Sequence, residues 1–170
     1  MINKRLFKSI LILVFILSCL FSLADSVKAQ DHANNVKKEL VNPGNLFYPV
    51  KRFWEKNRIK IIKDDYKKIK YYELLLDKRY SELNFIVMKK DVSQMQKSSE
   101  RFQYYAGLTT ETLETLQNAD ENKAEMIKRF ENYIETLPAL RDNFPANSSN
   151  WMFVQYCIDS LNIYISDLKN

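Results

Sequence analysis

The sequence predicts an all-α, up-and-down helical bundle, in which one short basic helix precedes four longer helices joined by short turns. After residue 65, apolar side chains recur at alternating spacings of three and four residues. No stretch alternates at period two for long enough to form a sheet. Beyond the first 29 residues the chain has just two glycines, Gly44 and Gly107. Heptad patterns with so few helix breakers indicate helices throughout.

The first 29 residues have the pattern of a secretory signal peptide. Three basic residues precede an apolar stretch over 10–23, and Val27 and Ala29 stand at the positions expected before a cleavage site. The apolar stretch is shorter than the roughly 20 residues that span a bilayer. We therefore expect cleavage after Ala29 and a secreted or extracytoplasmic location in the cell envelope. An uncleaved anchor and lipidation at Cys19 are the alternatives.

The chain after the signal peptide is expected to be a flexible leader over 30–41 and a single helical domain over 42–170. Cleavage leaves 22 basic and 20 acidic side chains, a net charge of about +2. Cys157 is then the one cysteine left, so packing alone must hold the domain together. We expect a monomer with Cys157 buried as a small apolar side chain; a disulfide-linked dimer through Cys157 is the alternative.

The short basic helix follows a turn at Pro43 and Gly44, and Pro49 suits its first turn. Val50, Phe53, Trp54 and Ile61 share one face of this helix. That face is expected to pack into the core between the second and last helices. The core anchors predicted on this basis are Phe53, Trp54 and, as a neighbour on the last helix, Trp151.

A second face of the short helix carries a row of cations, Arg52, Lys56, Lys60 and Lys63. Residues 51–70 hold nine basic against three acidic side chains, whereas residues 111–170 hold five basic against ten acidic ones. The row is a candidate contact for an anionic surface. The competing interpretation is that acids of the fourth or fifth helix, such as Glu125, Glu131 or Glu135, neutralise it.

This part of the chain resembles the DUF5667 family of bacterial, mostly extracytoplasmic helical domains over residues 40–115. The residues that carry the resemblance are Pro43-Gly44-Asn45, Phe47-Tyr48, Lys51-Arg52 and Trp54-Glu55, followed by Lys78-Arg79 and Glu82-Leu83. The resemblance implies a helical domain behind a signal peptide or an anchor. It implies no particular chemistry.

The second helix is expected from about Tyr66 to Lys89, with Asp64 or Asp65 as its cap. Its apolar heptad positions include one charge, Arg79, for which Glu82 or Glu55 could be an ion-pair partner. The alternative is an Arg79 whose stem packs while its charged end reaches water.

The remaining three helices follow the same heptad pattern. Asp91 is the expected cap of the third helix, and the turn at 118–120 that of the fourth, in which Pro138 predicts a kink or a restart. The last helix is expected from about Asn150 to Leu168, capped by Ser148 or Ser149.

The sequence offers little for catalysis. It contains no glycine-rich phosphate loop, no Cys-x-x-Cys pair and one histidine, His32, which lies in the leader. We expect no catalytic, cofactor or metal site, no nucleic-acid partner and no small-molecule substrate. The predicted function is that of a non-enzymatic envelope protein that binds another protein or an anionic surface; the alternative is a periplasmic chaperone or stress-sensor type of module, which would expose an apolar surface.

Overall fold

The computed structural model describes residues 39–170, which contain five helices and no strand. The predicted all-α class is confirmed, with one short helix followed by four longer ones. The predicted signal peptide, most of the leader, Cys19 and His32 lie outside the described residues. The helices are α1 (Tyr48–Ile61), α2 (Asp65–Lys89), α3 (Val92–Thr115), α4 (Asp120–Arg141) and α5 (Ser149–Lys169).

The four long helices form two antiparallel hairpins, α2 with α3 and α4 with α5, which pack side by side. Helix α3 lies next to α5 and runs parallel to it, since Ser99 contacts Phe153 and, one turn on, Gln103 contacts Cys157. Helix α2 contacts α4 through side chains, and these two helices also run parallel to each other. The short turn between α3 and α4 therefore joins diagonal helices of the bundle.

The core lies along the heptad positions that the sequence predicted. On α2 all six are buried, and three aromatic rings from three helices meet at the centre of the bundle: the Phe102 ring lies 6.1 Å from that of Tyr80 and 5.4 Å from that of Tyr133. Three positions at helix ends differ, because Val92 is exposed and Leu116 and Trp151 are only partly buried. The buried positions of α2 are Ile69, Tyr72, Leu76, Arg79, Leu83 and Ile86.

Two of the predicted helix caps are present. Asp64 accepts a hydrogen bond from the backbone N–H of Lys67 at 2.8 Å, and Ser148 accepts one from the backbone N–H of Trp151 at 3.3 Å. Each side chain satisfies a donor that the first helical turn leaves free. These two residues therefore set the starts of α2 and α5.

Two expected helix caps are wrong, and the restart expected as one outcome at Pro138 does not occur. Asp91 precedes α3, but its carboxylate accepts from the Ser93 hydroxyl instead of capping the backbone. Ala119 precedes α4 and has no side chain that could cap it. Helix α4 also continues through Pro138 to Arg141 without a restart. Pro138 lies in the last turn, so the missing N–H costs one hydrogen bond close to the helix end.

Candidate functional site

Helix α1 packs on the bundle through its polar side. Tyr48, Lys51 and Glu55 are its buried residues, and their spacing of three and four places them on one face. The apolar face that the sequence pattern would turn inward lies on the opposite side of the helix. The orientation of α1 is therefore the reverse of the predicted one.

The predicted core anchors on α1 are wrong. Phe53 is 64% exposed and Trp54 is 56% exposed. Their rings contact each other edge to face, with centroids 6.4 Å apart. Trp151 is half-buried, and the Arg141 guanidinium lies 4.8 Å from the centre of its ring. The structure thus does not assemble Phe53, Trp54 and Trp151 into one cluster.

The reason for the reversal is a buried ion-pair network that begins at Arg79. This side chain on α2 is fully buried, as its heptad position predicted. Its guanidinium donates to both carboxylate oxygens of Glu82, at 2.9 and 2.7 Å, and to the carboxylate of Glu55 on α1. Both ion-pair partners expected from the sequence are therefore in place. Glu82 binds one amino group of the guanidinium, and Glu55, turned inward, is the partner of the other, which would otherwise be buried unpaired.

Lys51 and Tyr48 extend this network beneath α1. The Lys51 ammonium donates to Glu82 at 2.8 Å, and the Tyr48 hydroxyl donates to Glu82 at 2.7 Å. Lys51 also donates to the Glu39 carboxylate at 2.6 Å and to the Val41 carbonyl at 3.0 Å. The last residues of the predicted leader are therefore bound to the domain.

The electrostatics of the network follow from burial and from its carboxylates. Burial by itself lowers the pKa of Arg79, but Glu82 and Glu55 raise that pKa above its ordinary value. Burial, and then the Glu82 charge, raise the pKa of the Tyr48 hydroxyl, which stays protonated as a donor. Burial lowers the pKa of Arg101, whose guanidinium lies 5.4 Å from the centre of the Tyr48 ring.

The sequence reasoning missed Lys51 and Tyr48. A signal for them was present, because Tyr48, Lys51 and Glu55 share one helical face that contains both an acid and a base. Arg79 on a heptad position already required a carboxylate from a neighbouring helix. Taken together, these two patterns made this face of α1 a candidate for inward packing, in competition with the apolar face.

The basic row on α1 is divided by the same packing. Arg52, its first member, lies on the buried side and donates to Glu55 at 3.2 Å and to the Tyr105 hydroxyl at 3.3 Å. Lys56, Lys60 and Lys63 are exposed. The prediction of four cations in one surface row is therefore wrong for Arg52. Lys63 lies two residues beyond the end of α1 at Ile61, so the predicted row does not stay on one helix. We call the three exposed lysines, on and just after the helix, the α1 lysines.

The acids expected to neutralise the row are used elsewhere. Glu125 pairs with Lys70 at 2.9 Å and with Arg129 at 3.6 Å, and Glu131 lies 3.9 Å from Lys169. Within residues 39–170, Glu135 has no salt bridge and no carboxylate lies within 4 Å of an α1 lysine ammonium. The described part of the fold thus leaves the charge of these lysines to solvent.

A groove of about 510 Å³ opens beyond the last turn of α1. Ile62 and Leu74 contribute its apolar wall, and Arg58, Lys67 and Lys70 contribute cations. Arg58 lies with its guanidinium 5.0 Å from the centre of the Tyr71 ring, so its charge is held at one edge of the groove. The basic and apolar character of α1 therefore continues onto the start of α2.

Cys157 is fully buried, between α5 and α3. Burial raises the pKa of its thiol to about 12. A disulfide with a second copy of the chain would require α5 to open first.

Since the thiolate is the reactive form, we expect Cys157 to resist a water-soluble thiol reagent at pH 8 in the folded protein and to react fully in denaturant. Labelling of the native protein at the rate of free cysteine would contradict its buried position.

The described residues contain neither a metal-binding cluster nor a helix suited to span a membrane. In the part of the chain that the structure describes, no three residues among His, Cys, Asp and Glu are placed to hold a metal ion together. No helix among residues 39–170 is both long and apolar enough to cross a membrane.

Five residues that carry the resemblance noted in the sequence, Tyr48, Lys51, Glu55, Arg79 and Glu82, meet in the network beneath α1. Comparisons with curated proteins and with solved structures find no match. The family model described as "Domain of unknown function (DUF5667)" matches residues 40–138, from the start of the described chain to Pro138 in α4. Because this match spans more than half of the sequence, the chain belongs to the DUF5667 family.

Proposed function

We propose that this protein is a non-enzymatic, exported interaction module that binds an anionic surface of the cell envelope through the outer side of α1. The observation that carries the proposal is the set of α1 lysines, which have no carboxylate partner among the described residues. Cations spaced along one helix repel one another unless an anion lies nearby. The signal-peptide pattern of residues 1–29 supports an extracytoplasmic location.

On this proposal, the α1 lysines bind an external anion and are not neutralised by the acidic second half of the chain. Glu125 of α4 pairs with Lys70 of α2, and Glu131 of α4 lies 3.9 Å from Lys169 of α5, so these two acids are engaged away from α1. Each basic residue close to an anionic bilayer contributes about 1 kcal/mol to binding. The three lysines thus contribute about 3 kcal/mol in total, a reversible and salt-sensitive attraction to an anionic surface.

The test is sedimentation of the protein, in its exported form, with vesicles that contain phosphatidylglycerol. We expect binding at low ionic strength and release near 1 M salt, where the screening length falls to about 3 Å. Charge reversal at the three positions (K56E, K60E and K63E) should abolish binding. Because these side chains are exposed, the variant should keep the thermal midpoint of the wild type.

A matched control reverses three exposed lysines elsewhere on the bundle, namely K89E, K97E and K128E. It changes the net charge by the same amount and should keep most of the vesicle binding. Equal losses in the two variants would show that net charge alone attracts the protein to lipid. Absence of wild-type binding at low salt would refute the proposed function.

The outward apolar face of α1 favours a second candidate, a chaperone that holds unfolded chains. This activity would act on apolar peptide segments whatever the lipid charge. It would appear as suppressed aggregation of a reduced client protein, and it would survive reversal of the α1 lysines. The lysine dependence of each activity therefore separates the two candidates.

A further inference from the structure

The outer side of α1 carries a continuous set of exposed apolar side chains. Phe53, Trp54 and Ile61 lie on it, and Leu46 and Phe47 extend it before the first turn. Phe53, Trp54 and Ile61 occupy the side of α1 opposite Lys51 and Glu55, whereas Leu46 and Phe47 precede the helix. Isolated exposed apolar residues are common on protein surfaces, whereas a contiguous patch indicates a contact site.

The exposure of this patch is enforced by the buried network. Rotating α1 to bury Phe53 and Trp54 would withdraw Glu55 from Arg79 and Lys51 from Glu82, and would leave Arg79 and Glu82 without these partners in the interior. Unpaired buried charges are strongly unfavourable. The apolar side is therefore held outward by the same contacts that attach the helix.

The arrangement of charge around the patch indicates its partner. Lys56 and Lys60 follow one edge of the apolar face, and Arg58 lies at the other edge. An apolar face with aromatic side chains and flanking cations is the pattern of a helix that lies in the interface of an anionic bilayer. A soluble or wall-bound polyanion would neutralise the lysines, but it would leave Phe53 and Trp54 in water because it has no apolar interior.

We propose that α1 docks on an anionic lipid bilayer with Phe53 and Trp54 inserted at the boundary between headgroups and acyl chains. This inference rests on the proposed surface-binding function and names its partner as lipid. The lysines and Arg58 contact headgroup phosphates, while the bundle stays on the aqueous side. The groove beside Ile62, which carries Arg58, Lys67 and Lys70, continues this basic surface.

Tryptophan fluorescence tests the insertion directly, because the chain has only two tryptophans, Trp54 and Trp151. In the W151F variant of the exported protein, Trp54 is the single reporter. We expect its emission to shift to shorter wavelength on phosphatidylglycerol vesicles and to be quenched by brominated acyl chains. Polyphosphate, an anion without an apolar phase, should produce no such shift.

Affinity provides a second readout. Replacing Phe47 and Phe53 by serine keeps every cation and should weaken vesicle binding by about tenfold per aromatic side chain. The matched control replaces two exposed apolar residues on other helices, M88S and I163S, and should bind as the wild type does. Both variants should retain the helical circular dichroism spectrum, because none of these side chains is in the core.

The outcomes separate the two proposals. Salt-sensitive vesicle binding with no change in Trp54 emission would overturn insertion and leave the surface-binding function intact. Absence of any vesicle binding would refute both. Short-wavelength Trp54 emission in buffer, together with a doubled mass in sedimentation, would show that a second copy covers the patch and would overturn the lipid assignment.

Discussion

Replacement of Arg79 by methionine is expected to lower the free energy of unfolding by about 3–5 kcal/mol. The guanidinium is fully buried and binds the carboxylates of Glu55 and Glu82. Methionine would fill much of the same space but would leave two carboxylates without their main partner. Equilibrium unfolding in urea measures the loss.

Two further variants make the Arg79 prediction specific. Adding E55Q and E82Q to R79M removes the stranded charges and should recover part of the lost stability. R141M removes an arginine that binds the exposed Asp142, Gln155 and the Trp151 ring but strands no buried carboxylate, so it should cost no more than about 1–2 kcal/mol. A loss of about 1 kcal/mol or less for R79M itself would mean that the network contributes little to attaching α1.

Replacement of Phe102 by alanine is expected to cost about 3–5 kcal/mol, the usual range for a large aromatic side chain removed from a core. Phe102 is fully buried, and its ring packs against those of Tyr80 and Tyr133, which also contact each other, with centroids 4.7 Å apart. Its removal would leave a cavity that three helices line. The change in the urea midpoint measures the effect.

Trp54 is the matched comparison for Phe102. It is also a large aromatic residue on a helix, but it is half-exposed and contacts only Phe53 among the aromatic rings of the described residues. We expect W54A to change the free energy of unfolding by about 1 kcal/mol or less. A loss at W54A equal to that at F102A would show that the outer side of α1 packs against part of the protein.

The contrast between Phe102 and Trp54 shows where sequence patterns suffice. Phe102 belongs to a heptad series on a long helix, and the facing helices present apolar side chains at matching positions. Under that condition, an apolar stripe turns inward because burial of its surface is the largest gain available. The same condition holds for α2, α4 and α5, and their cores were predictable from spacing alone.

Some local features were predictable for the same reason. Asp64 and Ser148 cap helices because a side-chain oxygen beside a free backbone N–H needs no distant partner. The restart expected at Pro138 did not occur, because the cost of a missing N–H is smaller when the proline lies close to the end of the helix. The end of α4 follows three residues later, at Arg141.

The sequence by itself determined the all-α class, the number of helices and the core faces of the four long helices, and it named Glu82 and Glu55 as candidate partners of Arg79. The structure decided for ion pairing with both and against an Arg79 whose charged end reaches water. Only the tertiary structure decided which side of α1 faces the bundle. The physical reason is that α1 carries both an apolar face and a face with Tyr48, Lys51 and Glu55, and the surface it meets is charged. Withdrawing Glu55 from Arg79 and Lys51 from Glu82 costs more than leaving Phe53 and Trp54 in water. That balance depends on side chains more than twenty residues away along the chain, so no pattern within α1 could reveal it.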